Sequence, residues 1–107
     1  MAEVEAAERF HPFLRESGYG TEVVDGSRYE GNFENFLPNG SGRKTWMSGD
    51  AYQGEWKEGM RHGKGEVSYA GGAKYVGQFS ENLFHGKGKF TWPDGTYYDG
   101  QWIQGRE

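Results

Sequence analysis

His62 and His85 each open the tetrapeptide His-Gly-Lys-Gly, and an imidazole recurring beside a lysine and permissive backbone could ligate a metal or cradle a phosphate. The surrounding residues complete neither chemistry. The two histidines stand 23 residues apart, at equivalent points of a repeat, which on paired strands separates them by roughly 10 Å, whereas two ligands of one zinc each approach it to about 2 Å. The 107-residue chain contains no cysteine, so no thiolate assists and no disulfide staples the fold. The imidazoles are therefore read as loop-closing hydrogen-bond formers, and His11 carries no motif. A phosphate loop needs GxxxxGK[ST] between a strand and a helix, which neither His-Gly-Lys-Gly nor Gly40-Ser41-Gly42 supplies. Glu55, Glu58, Glu66 and Asp94 fall on a polar face or in loops, with no pocket to shift their pKa. Serine, histidine and acid never converge in a triad order. No catalytic residue, metal, cofactor or enzymatic activity is expected.

What does recur is a spacing. Tyr29, Tyr52, Tyr75 and Tyr98 fall 23 residues apart, each followed two residues later by Gly31, Gly54, Gly77 or Gly100 and four residues later by Phe33, Trp56, Phe79 or Trp102. The register continues through Gly40/Gly42, Gly63/Gly65 and Gly86/Gly88, then Trp46, Tyr69 and Trp92, then Gly49, Gly72 and Gly95. Steps of two place Tyr52, Gly54 and Trp56 on one face of a strand, and Gly63, Gly65, Val67 and Tyr69 on one face of the next. A helical period would scatter them. Each unit is thus a β-hairpin, with a loop of about six residues such as Lys57 to His62 and a tighter turn around Gly72 leading onward. The expected architecture is all-β: an elongated antiparallel meander in a single sheet, on whose glycines neighbouring rings can lie. Residues 1–17 read as an acidic N-terminal segment, irregular or helical up to the limit that Pro12 sets. Residues 18–107 read as the array, with a partial unit 18–28, units 29–51, 52–74 and 75–97, and a partial unit 98–107.

At this point the chain resembles the MORN (membrane occupation and recognition nexus) repeat family, whose pattern runs YxGxWxxGxxHGxGxxxxxDG. The units YQGEWKEGMRHGKGEVSYAGGAK and YVGQFSENLFHGKGKFTWPDGTY carry the likeness, which extends from Tyr29 to Glu107. The first unit departs most, with Pro38-Asn39-Gly40 in place of the histidine motif and Phe36 in place of Gly59, so its loop is expected to be shaped differently. The resemblance implies a twisted or curved sheet of hairpins used for protein scaffolding, and in some cases association with phospholipid. It also implies, by family analogy, a cytoplasmic setting in a cytoskeletal, ciliary or axonemal assembly.

Composition narrows the partner. The 19 glycines and 17% aromatic content serve the repeat, and the net charge of −4 is concentrated in residues 1–30, with seven acids against three arginines. A nucleic-acid platform needs a basic surface, so nucleic acid is not an expected partner. No run approaches 18 apolar residues, and the chain is read as intracellular and soluble. A single sheet has nothing behind it, so the aromatics Tyr29, Phe33, Trp46, Tyr52, Trp56, Tyr69, Tyr75, Phe79, Phe90, Trp92, Tyr98 and Trp102 are not expected all to be buried by one another, and part of that face is expected to need a cover. That cover is the N-terminal segment through Phe10, Phe13 and Leu14, a second copy of the array, or a protein partner. The loop residues Leu37, Met60 and Leu83 form a further apolar ridge. The expected function is non-catalytic docking through the aromatic face, with the unpaired edge of Tyr98 to Trp102 meeting a partner or a second copy. The alternative is a peripheral membrane module using Lys64, Lys87, Lys89 and Arg43. Glu55, Glu66 and Asp99 oppose it, so little affinity for anionic vesicles is expected.

Overall fold

A computed structural model describes residues 17–105; the N-terminal helix expectation and the cover through Phe10, Phe13 and Leu14 lie outside them. Eight strands follow one another: β1 (Ser17–Val24), β2 (Ser27–Glu34), β3 (Leu37–Thr45), β4 (Ala51–Lys57), β5 (Met60–Ser68), β6 (Lys74–Ser80), β7 (Leu83–Thr91) and β8 (Tyr97–Trp102). Each pairs antiparallel with its chain neighbours, giving one open sheet in the order β1 to β8. No helix occurs among the described residues. The molecule measures 50 × 24 × 20 Å, with the long axis across the strands.

The tyrosine–glycine spacing creates this register. Gly20, Gly31, Gly42, Gly54, Gly65, Gly77, Gly88 and Gly100 pair in succession, each with the next, across all seven strand junctions. A line without side chains therefore crosses the whole sheet. From Gly31 to Gly100 the row is obligatory for lack of space: a Cβ on Gly54 would stand 2.5 Å from Gly65 Cα and 2.7 Å from Tyr52 Oη, closer than packed atoms approach.

Turn lengths reverse the expectation from sequence. The turns inside the hairpins have two central residues, not six: Asn35-Phe36, Glu58-Gly59 and Glu81-Asn82, with Lys57 already paired to Met60. Both central residues have positive φ, 52° and 82° at Glu58-Gly59, as a primed hairpin turn requires to match the twist of its strands. The first-unit turn has the same shape despite Phe36, at 54° and 67°. The links between hairpins are longer, running from Trp46 to Asp50, Tyr69 to Ala73 and Trp92 to Thr96. The first is closed by Trp46 N–H donating to Asp50 O and Gly49 N–H to Trp46 O, both at 2.9 Å.

The residues of His-Gly-Lys-Gly thus belong to strands, where a bulge accommodates them. Between Gly54 and Trp56 stands one residue, Glu55, while the facing stretch from Gly65 to Arg61 holds three; the same shift recurs at Gly31/Phe33 and Gly77/Phe79. Within the bulge Gly63 has φ 73°, which turns its missing side chain away from the aromatic face. A Cβ there would collide with the Glu55 carboxylate, and one on Gly86 with the Gln78 amide. Gly63 and Gly86 are structural glycines of the polar face, a correction to the expected alternation with Gly65 and Val67.

Candidate docking surface

On the other face every repeat tyrosine lies down on the glycine row. The hydroxyls of Tyr29, Tyr52, Tyr75 and Tyr98 donate to the carbonyls of Asn32, Glu55, Gln78 and Gln101 at 2.7, 2.8, 2.8 and 2.9 Å. For the first three these are the residues facing the bulges. Trp56, Phe79 and Trp102, four positions after their tyrosines, each stand edge-on between that ring and the ring of the preceding repeat, and Phe33 packs edge-on to Tyr29. Centroids lie 5.1 Å apart for Tyr52–Trp56 and 5.3 Å for Tyr29–Trp56, with interplanar angles near 90°. The alternation continues through Phe79, Tyr75, Trp102 and Tyr98. Each edge-to-face pair contributes about 0.5–1.5 kcal/mol beyond area burial. Trp56 and Trp102 also donate their indole N–H to Gly42 O and Gly88 O, both at 3.0 Å.

This tiling buries part of the face without any cover. Tyr52 and Tyr75 are 0% exposed, and Tyr29, Phe33, Trp56, Phe79 and Trp102 are buried with them around Val67. Seven of the twelve predicted contact residues are therefore core, closed to a partner unless the core opens. The physical reason is the missing Cβ in two adjacent strands, which leaves a ring-thick slot beneath the rings. Trp46, Tyr69, Phe90 and Tyr98 are half-buried against this core, and Trp92 is 39% exposed. Trp46, Tyr69 and Trp92 sit at the links, so the accessible rings line one long side of the sheet. On the opposite side, Leu37 and Leu83 of the predicted ridge are exposed at the tips.

Three residues at one further repeat position form a second tier. Pro38, Arg61 and Phe84 occupy the same point of successive units, opposite Phe33, Trp56 and Phe79. Phe84 stacks on Tyr75 at 3.9 Å and 8°. Arg61 extends its guanidinium across the corresponding place, 5.9 Å from the Tyr52 ring, 5.5 Å from Phe79 and 5.8 Å from Trp46. Its Nη2 donates to Asn82 O at 2.9 Å. Desolvation lowers the Arg61 pKa from its ordinary value, opposed by Tyr69 and Tyr52. Burial also pushes the tyrosines up, Tyr29 and Tyr75 to about 12 and Tyr52 further. Positions 38, 61 and 84 share the 23-residue period, and the two-residue turns place all three on strands rather than in loops.

Hydrogen bonds also join successive hairpin tips. Gly59 N–H donates to Pro38 O, Asn82 N–H to Arg61 O and Gly105 N–H to Phe84 O, at 2.9, 3.0 and 2.7 Å. Asn39 Oδ1 accepts from Glu58 N–H at 3.1 Å, and His85 Nδ1 accepts from Gln104 N–H at 3.3 Å. The His85 contact thus closes one hairpin against the next rather than its own loop. No group of three His, Cys, Asp or Glu side chains able to hold a metal occurs among the described residues.

On the polar face, Lys64 and Lys87 flank a shallow groove of ≈ 690 Å³ over Gly54, Gly65 and Gly77. Glu66 in that groove pairs with Lys74 at 2.9 Å. Among the described residues no helix is long and apolar enough to cross a membrane.

Compared with protein families, the chain matches the MORN repeat at residues 29–51, 52–74, 75–97 and 98–107. The search of curated proteins gave no match.

Proposed function

The chain belongs to the MORN repeat family, whose repeats are generally non-catalytic and are known in protein-binding and membrane-binding modules; from that premise we propose that it is a protein-docking module within a larger assembly. The observation that carries this reading is the row of link aromatics Trp46, Tyr69 and Trp92, which recurs every 23 residues along one side of the sheet and is incompletely covered. Such a row suits a partner that runs along the long axis, touching several repeats with one kind of contact. The buried tyrosines then act as the frame that holds the row straight. A cytoskeletal or ciliary assembly is the proposed setting, by analogy with the family.

The test is a pull-down with Trp46→Ala and Trp92→Ala, chosen because Trp56→Ala would damage the core. Loss of partners by variants with unchanged circular dichroism supports the reading; retention of every partner by both would remove the aromatic side as the docking surface. A tagged protein that stays diffuse in ciliated and dividing cells would count against the setting.

The membrane alternative draws on Lys64 and Lys87, but the ion pair at Glu66 and the net negative charge oppose it. No co-sedimentation with phosphatidylserine vesicles at physiological salt is expected. Robust pelleting abolished by Lys64→Glu with Lys87→Glu would reverse this ranking.

A further inference from the structure

A position that the fold dictates carries the same kind of residue in every unit, so a departure marks a position available for another role. At the hairpin tips, departures gather in the first unit. The second turn position is Gly59, Asn82 or Gly105 in the following units, residues that enter positive φ readily, but it is Phe36 here, at φ 67°, where a bulky side chain is uncommon. Burial does not offset that strain, because Phe36 is 54% exposed and Leu37 beside it 45%.

Between this tip and the next, Glu58-Gly59, lies a groove of ≈ 850 Å³ with Glu34, Leu37, Glu55, Trp56, Lys57 and Glu58 in its walls. The acidic character is particular to this gap. Lys57 and Ser80 stand where the first unit has Glu34, and Gln78 and Gln101 stand where the second has Glu55. Two of the carboxylates are held in place: Glu34 Oε1 accepts from Asn39 Nδ2 at 3.1 Å and Glu55 Oε1 from Lys64 N–H at 3.4 Å. Each keeps a second oxygen for another partner. Three carboxylates outnumber the single ammonium of Lys57 in these walls, so anionic lipid, nucleic acid and acidic peptides are disfavoured, whereas a cationic chain with an apolar residue complements the carboxylates and the exposed Leu37.

We propose that the gap between the first two hairpin tips receives an extended basic segment of a partner protein. An apolar side chain of that segment rests on Leu37 in the groove wall and reaches Phe36 on the turn beside it, and its lysines or arginines lie among Glu34, Glu55 and Glu58. The inference rests on the protein-docking reading above and gives it a second contact, with a stated partner chemistry.

The test titrates the full chain with a fluorescent peptide of alternating lysine and leucine, and with a glutamate–leucine peptide of the same length, by anisotropy at low and physiological salt. The lysine peptide binds and the glutamate peptide does not. Glu34→Lys with Glu58→Lys weakens binding about 10-fold or more and flattens its salt dependence. Glu81→Lys, in the next gap, leaves it unchanged. Phe36→Gly weakens binding several-fold while raising Tm by several degrees, an opposed pair of shifts that a purely structural residue would not give. Equal binding of the two peptides, an equal loss with Glu81→Lys, or full binding by both first-gap variants would overturn the proposal. If those variants keep partners that Trp46→Ala loses, the groove assignment fails and the docking reading stands. If neither set changes any binding, both fall.

Discussion

The middle of each strand and the tips of the hairpins obey different rules. In the middle, Tyr52 and Tyr75, with Gly54/Gly65 and Gly77/Gly88, repeat one geometry to within tenths of an ångström in their hydroxyl contacts. At the tips the backbone repeats but the side chains do not: Asn35-Phe36, Glu58-Gly59 and Glu81-Asn82 share their positive φ values while differing in size and charge. The difference teaches where the constraints lie. A mid-strand residue is bounded on both faces by neighbouring strands, so its volume is prescribed, whereas a tip residue is bounded mainly by its own φ. Variation, and with it individuality of binding, accumulates where volume is free.

The sharpest test of that contrast exchanges the glycines. Gly65→Val places carbon atoms against the Tyr52 ring and should cost more than about 3 kcal/mol, enough to leave a chain of this size unfolded. Gly59→Ala, whose Cβ would meet Leu37 at an ordinary 3.6 Å, should cost about 1 kcal/mol from φ 82° alone. Urea midpoints measure both; similar losses at the two sites would break the comparison.

Raising the pH strains the middle selectively. Tyr29 and Tyr75, pushed up to about 12 by burial, stay protonated in the folded state while the unfolded chain ionises near 10, so above pH 10 the unfolded state binds fewer protons. The stabilisation is complete below about pH 10 and declines as pH rises toward 12. Phenolate absorbance from these rings should therefore appear together with the loss of near-ultraviolet circular dichroism. Phenolate formation by Tyr52 and Tyr75 within an intact fold would contradict the buried tiling.

Smaller effects follow at single contacts. Tyr52→Phe keeps the ring and removes the hydroxyl bond to Glu55 O, for an expected loss of about 1–2 kcal/mol in urea unfolding. At the tip the sign reverses: Phe36→Gly should gain about 1 kcal/mol, because the backbone there is already positive in φ. A destabilised Phe36→Gly variant would mean that the phenyl ring supports the fold and that the tips are not free.

Much of this was legible in the chain. The 23-residue spacing of tyrosine, glycine and tryptophan determines strands, alternation and register, because period-two patterning and a glycine in each neighbouring strand admit few pairings. The hairpin identity and the ring-on-glycine contact followed from the same residues. The turn lengths did not. Met60 and Arg61 look like loop residues among polar neighbours, and only strand pairing shows that two positive-φ residues suffice to reverse the chain. Nor could spacing reveal that Gly63 faces Glu55, since a bulge inverts strict period-two alternation. The tertiary structure alone decided that the rings bury one another. Whether Tyr52 lies flat depends jointly on Gly54, Gly65, Trp56, Phe79 and Arg61, residues of three strands. Such many-body packing is set by the volume left between them, which residue type at a single position does not encode.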